Sequence, residues 1–251
     1  MKGRYAAVVF DLFNTLVRWS PDRLPRMELR GRDVPSTLPI LFPILERALG
    51  ESFERERFVE VYLSVLKEID AERDVEWTEV TCRERFERSL RRLDASSNAI
   101  GGVAEELTRS HMGMVRSVTA APPEWITAVR SVARAYRTGV LSNFDDSQTG
   151  REIVADTGLE PLFDVVVFSA DVGLRKPNPR LFRHVLERLR LLPAEVLYVG
   201  DTPLEDVAGA RSVGMSVVWV SGGKGPFPAG VPEPDFAVPD VTSLPDLLGV
   251  G

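Results

Sequence analysis

Cysteine is nearly absent: Cys82 is the single one in 251 residues. No disulfide can form within the chain, and such usage suits a reducing compartment. Cys82 falls in a charged helical stretch and reads as a structural or exposed residue, not a nucleophile. Histidine is almost as scarce. His111 and His184 both fall in helical segments with no metal-ligand spacing, so a zinc centre is not expected. No apolar run reaches the roughly 18 residues of a membrane span. Asp11 and Asn14 interrupt the apolar stretch near the N-terminus, and no small-residue cleavage site follows, unlike a secretory signal. A basic excess is also missing. Lysine and arginine total 31 against 37 acidic residues, a net charge of −6, which leaves no electrostatic footprint for nucleic acid. These absences predict a soluble, cytoplasmic protein with neither a nucleic-acid nor a membrane partner.

What is present is a rhythm of short apolar runs, each followed by polar turn residues and a helical pattern. The runs are Tyr5–Phe10, Thr138–Leu141, Asp164–Phe168, Val196–Val199 and Met215–Val220, with Phe236–Val238 as a late edge strand. Runs this apolar suit strands buried on both faces of a parallel sheet. Helical patterns over about 147–157, 179–190 and 203–213 lie between them, so the alternation predicts a doubly wound, Rossmann-like α/β sheet. Residues 17–118 break the rhythm with long amphipathic helices near 36–49, 52–73, 78–94 and 101–118. This predicts an all-helical module, 17–118, inserted into a core formed by 1–16 and 119–251. Gly222–Gly230 lacks the spacing and the Ser/Thr of a P-loop and reads as a connector.

Ligands of open α/β sheets bind beyond the carboxyl ends of the strands, and four polar clusters occupy those places. Asp11 ends the first run, in DLFNT (11–15). A charge there is costly without a cation or donors nearby, although a turn aspartate capping a helix has the same look. Ser142-Asn143 follows the second run, where a hydroxyl and backbone N–H groups can hold an anion. In Lys176-Pro177-Asn178-Pro179, Asn178 reads as N-cap and Pro179 as first helical residue. Lys176 is left to neutralise an oxyanion or to lie in solvent. In GDTPLED (200–206), Thr202, Pro203 and Glu205 read as a capping box, which leaves Asp201 and Asp206 over. Carboxylates at 11, 201 and 206 converging beyond adjacent strands would repel unless a cation lay between them, and an all-oxygen donor set suits Mg²⁺.

At this point the chain resembles the haloacid dehalogenase-like hydrolase superfamily. DLFNT, LSN, KPNP and GDTPLED occur in that family's order across the whole length, and the helical insert looks like its small cap domain. The resemblance implies a Mg²⁺-dependent phosphatase that acts on a small phosphate ester. Asp11 would attack phosphorus, and Ser142 and Lys176 would bind the transferring group, with Asn143 beside them. Thr15 would contribute a hydroxyl near the nucleophile. Asp11, the backbone carbonyl of Phe13 and Asp201 would hold the metal, with Asp206 as a further ligand or as an orienter of the others.

Phe13 departs from the pattern. Most phosphatases of the family carry there a second aspartate that protonates the leaving group, a contribution typically worth about 10²–10⁴ in rate. Three readings follow: a phosphatase whose leaving group needs no acid or takes its proton elsewhere, a carbon–halogen hydrolase, and a non-catalytic phosphate-binding protein. Asp201 and Asp206 speak against the second. Asp11 and Lys176 speak against the third. A monomer and a small homo-oligomer are both compatible with the sequence.

Overall fold

The computed structural model describes residues 4–250. The chain divides into two compact units, Met1–Trp19 with Ala120–Gly251, and Ser20–Thr119.

The first unit is built on six parallel strands. From one edge to the other they are Phe236–Val238, Ser216–Val220, Val196–Gly200, Ala7–Phe10, Arg137–Ser142 and Phe163–Phe168. Successive side chains of a strand point to opposite faces, so Ala7–Phe10, all apolar, supplies both. Val8 and Phe10 join Trp125, Val129, Ile153 and Leu244 in one core. Ala7 and Val9 join Leu181, Phe182, Val185 and Val207 in the other. This is the doubly wound α/β sheet that the apolar runs predict. Chain order runs from Ala7–Phe10 outward to Arg137–Ser142 on one side and to Val196–Gly200 on the other. The two connections diverge there and leave a crevice at the carboxyl end of the first strand, where such folds bind ligands. The helix Pro123–Ala133, which the sequence reading does not single out, buries Trp125, Ala128, Val129 and Val132.

The second unit contains the four long helices, at Leu38–Leu49, Arg55–Glu76, Cys82–Arg92 and Ser97–Ser117. It is not all-helical. Arg26–Leu29 and Arg32–Pro35 pair as an antiparallel hairpin. Arg30 and Gly31 form its two-residue turn at φ 53° and 76°, the left-handed pair that matches the twist of a tight hairpin. An arginine in that position hides the turn from a reading by composition. Cys82 is fully buried and accepts a hydrogen bond from Arg85 Nη2 at 3.1 Å.

Beside it, His111 Nε2 lies 3.3 Å from Arg85 Nη2 and Nδ1 lies 2.7 Å from Thr37 Oγ1. With Arg85 donating to Nε2, the ring proton sits on Nδ1 and is donated to Thr37. Burial, aided by the Arg85 charge, pulls the imidazole down to about 3. The folded unit therefore keeps His111 neutral where an unfolded chain takes up a proton. Its stability contribution is complete above pH 6.5 and is lost as the pH falls from 6.5 toward 3. We expect the acid loss to include about 2 kcal/mol from this group between pH 6.5 and 5. Urea unfolding across that range should show a shallower pH slope in His111→Gln than in the parent, and equal slopes would place the acid sensitivity elsewhere.

Candidate active site

Three neighbouring strands deliver the reactive groups. Asp11 follows Ala7–Phe10, and its N–H bonds to Val199 O at 2.8 Å, which ties the loop to the adjacent strand. Ser142 ends Arg137–Ser142, and Asp201 follows Val196–Gly200. Asp206 comes from the turn after Asp201. Asp11, Ser142, Lys176, Asp201 and Asp206 are all buried.

Lys176 is the hub of the cluster. Its Nζ donates to Asp11 Oδ1 at 2.7 Å, to Asp206 Oδ1 at 2.6 Å and to the Tyr198 hydroxyl at 3.1 Å, so all three ammonium hydrogens are used. Tyr198 in turn has Leu141 O and Asp206 Oδ1 both at 3.0 Å for its single proton. Ser142 Oγ donates to Asp11 Oδ1 at 2.9 Å. Asn143 holds the lysine's backbone: its Oδ1 accepts from Lys176 N–H at 2.7 Å and its Nδ2 donates to Lys176 O at 3.1 Å. The peptide bond between Lys176 and Pro177 is cis. Asn178 then caps the helix Pro179–Leu189, accepting from Arg180 N–H at 3.0 Å. Thr15 is fully buried, and among the described residues its hydroxyl finds no hydrogen-bond partner.

The start of the helix after Asp201 differs from the expected capping box. Pro203–Ala208 is a π-helical turn, with Val207 N–H reaching back five residues to Thr202 O at 3.3 Å. The wider turn brings residue 206, not 205, beneath the helix start. Asp206 Oδ2 accepts from Thr202 N–H at 2.8 Å, while Glu205 pairs with Arg175 at 3.9 Å. Asp206 approaches the backbone so closely that a Cβ on Gly200 would lie 2.4 Å from its Cγ. Only glycine fits at 200 with Asp206 in this position.

Carboxylate oxygens of Asp11, Asp201 and Asp206 lie within 4.8 Å of one another. Burial pushes the Asp11 carboxyl from 3.8 up to about 7; Lys176 pulls it back down, and Asp206 and Asp201 add to the rise. One ammonium shared between two carboxylates does not compensate both. Burial works against the Lys176 charge too, but Asp11 and Asp206 outweigh it and hold the ammonium well above the usual lysine range. Lys176 therefore stays charged at neutral pH. Burial and then Asp206 push the Tyr198 hydroxyl well above 10, so it remains a neutral donor. An all-oxygen, electron-rich, buried cluster with charge left over fits a small hard cation such as Mg²⁺.

Phe13 is half-buried in a row of rings. It lies 5.0 Å from Phe144 and 6.3 Å, edge-on, from Trp19, and Phe144 continues the row to Phe168 at 6.2 Å. Beside Asp11, then, the chain presents an apolar wall where a second carboxylate would face two aromatic neighbours, Trp19 and Phe144.

Residues 5–214 match the family described as haloacid dehalogenase-like hydrolase. The chain belongs to this family. As a haloacid dehalogenase-like hydrolase it is 30% identical over 165 residues to a glyceraldehyde 3-phosphate phosphatase of Pyrococcus furiosus, covering 66% of this chain and 68% of the relative. It is 43% identical over 96 residues to a phosphoserine phosphatase of Thermus thermophilus, covering 38% of this chain and 37% of that one. The crystal structure of a 2-haloacid dehalogenase from Pseudomonas syringae pv. Tomato DC3000 aligns over 98% of both chains with a TM-score of 0.70 at 21% identity. At that identity the likeness is one of fold.

Tyr198, Gly200 and Lys224, whose Nζ pairs with Asp201 Oδ2, are residues of this cluster that reading the sequence did not single out. Tyr198 had a signal, since a phenol inside an otherwise aliphatic buried strand needs a polar partner. Among the described residues, no helix is long and apolar enough to cross a membrane.

Proposed function

We propose that this hydrolase is a Mg²⁺-dependent phosphatase that cleaves a small phosphate ester through an aspartyl phosphate on Asp11. The observation that carries this reading is the convergence of three buried carboxylates within 4.8 Å, on the same Asp11 that Ser142 and Lys176 bind. Asp11, Asp201, Asp206 and the backbone carbonyl of Phe13 would hold the ion. Bound there, Mg²⁺ supplies positive charge that keeps the carboxylates ionised and offsets charge on the transferring phosphoryl group.

Asp11 attacks phosphorus with one carboxylate oxygen, and the bond from phosphorus to the leaving oxygen breaks with its electron pair. Lys176 and Ser142, which both donate to Asp11 Oδ1 in this structure, each turn that hydrogen bond to a phosphoryl oxygen, with Thr15 offering its unused hydroxyl. Asn143 fixes Lys176 in place. Water then attacks the acyl phosphate, which releases phosphate and restores the Asp11 carboxylate. Phe13 has no proton to give. The leaving group must therefore be stable as an anion, as in an aryl or acyl phosphate, or take its proton from solvent. The Ser20–Thr119 unit, inserted between the first strand and the rest of the core, serves as the cap that selects the substrate.

The test is hydrolysis of p-nitrophenyl phosphate, whose leaving group needs little acid help. We expect release of p-nitrophenol with Mg²⁺ and its loss in EDTA, together with a preference for aryl and acyl over alkyl phosphates. Phe13 also favours a second reading, hydrolysis of a carbon–halogen bond, because a halide leaves without a proton. Halide release from a 2-haloacid in EDTA, with no phosphate release in Mg²⁺, would replace the phosphatase reading with that one. Inactivity toward both, with phosphate still bound, would leave a binding protein.

A further inference from the structure

The loop after the strand Ser216–Val220 reads as a connector in sequence, yet it places a cation on the acidic cluster. Ser221 N–H bonds to Val238 O at 2.8 Å, and Lys224 N–H closes a four-residue turn on Ser221 O at 2.8 Å. The central residues of that turn, Gly222 and Gly223, have φ of 56° and 79°, a tight reversal that two side-chain-bearing residues adopt only under strain. The reversal brings Lys224 back over the neighbouring strand end. Its Nζ pairs with Asp201 Oδ2 and lies 3.5 Å from Asp201 O. A second anchor lies further along the loop. Phe227 packs edge-on against Trp219 at 5.1 Å, and Trp219 Nε1 donates to Asp201 O at 3.0 Å.

The two halves of this ion pair have opposite exposures. The Lys224 side chain is 53% exposed and that of Asp201 is 9% exposed. An ammonium that stays hydrated has little to lose on leaving, whereas Asp201 left alone would be a buried, uncompensated charge. Thr202 Oγ1 donates to the other oxygen, Asp201 Oδ1, at 3.2 Å, so both carboxylate oxygens are engaged. A cation entering between Asp11, Asp201 and Asp206 meets Lys224 as a like charge on one of its own ligands.

We propose that Lys224 is a tethered cation that neutralises Asp201 in the metal-free protein and withdraws when Mg²⁺ binds, so that it weakens and thereby sets the metal affinity of the site. This rests on the assignment of a metal site to these three carboxylates. Lys224 is a positioning residue in this role; it acts on Asp201 and not on the substrate. Its place on an exposed turn lets it move without disturbing the sheet.

Isothermal titration of Mg²⁺ into the EDTA-stripped full chain tests the proposal without any turnover. For an exposed lysine on a carboxylate, Lys224→Met should lower the Mg²⁺ dissociation constant about two- to fivefold. Lys224→Gln, which keeps a hydrogen-bond donor and loses the charge, should behave like Lys224→Met, and Lys224→Arg should stay near the parent value. Equal affinity in parent, Met and Gln variants, or weaker binding in the uncharged ones, overturns the role of Lys224 while the metal site stands. Absence of Mg²⁺ binding in all four proteins overturns the metal assignment, and this inference with it.

Discussion

Asp11→Asn should abolish Mg²⁺-dependent phosphate release from p-nitrophenyl phosphate, by on the order of 10⁴-fold or more, as removal of a covalent nucleophile does elsewhere. The substitution keeps one oxygen that can accept from both Ser142 Oγ and Lys176 Nζ, which now meet Asp11 Oδ1 at 2.9 Å and 2.7 Å. The hydrogen-bond frame therefore survives while the attacking carboxylate is gone. Stability should move the other way. Burial raises the folded carboxyl to about 7 from 3.8, so the folded state binds a proton that the unfolded chain has released in that window. The contribution of Asp11 to folding is then largest below pH 3.8 and is lost as the pH rises through about 7. Asparagine carries no such titration. In EDTA at pH 8 the variant should be at least as stable toward urea as the parent. Activity retained within tenfold would place the nucleophile at another residue.

The parallel sheet was legible because its central strands Ala7–Phe10, Val196–Gly200 and Ser216–Val220 are buried on both faces, which writes short apolar runs into the sequence. The site was legible only as positions. Asp11, Ser142, Lys176, Asp201 and Asp206 stand out because polar residues follow such runs where ligands bind. Their bonding was not legible, because it depends on backbone geometry with no composition signature. One extra residue in the turn at Pro203–Ala208 decides that Asp206 and not Glu205 reaches Thr202 N–H. Lys224 escaped notice for the same reason. Nothing in GGKG states that two left-handed glycines fold the lysine back onto Asp201. The hairpin at Arg26–Pro35 was missed because its turn uses Arg30 in the left-handed region, a conformation the residue type does not advertise. Cofactor-free geometry still carries chemistry: the charge that Asp11, Asp201 and Asp206 leave uncompensated is a property of their placement, not of their count.

Lys176→Met should be the most destabilising change at the site, with a loss of roughly 3–5 kcal/mol at alkaline pH. The ammonium is buried to 2% side-chain exposure, and its partners Asp11 and Asp206 to 7% and 1%. Methionine fills much of the volume, so the loss is chiefly electrostatic: two buried carboxylates and the Tyr198 hydroxyl lose their shared donor. A carboxyl already pushed to about 7 can relieve this by taking up a proton, and it does so more readily once Lys176 no longer pulls it down. The difference from the parent should therefore be largest near pH 8.5 and shrink toward pH 6, when urea unfolding is measured in EDTA at both values. Mg²⁺ should narrow the gap at pH 8.5, because a cation among the three carboxylates restores part of the missing charge. A loss that is the same at both pH values and blind to Mg²⁺ would point instead to packing. In that case the lysine would be a structural strut, and the cation among these carboxylates would have to be sought elsewhere.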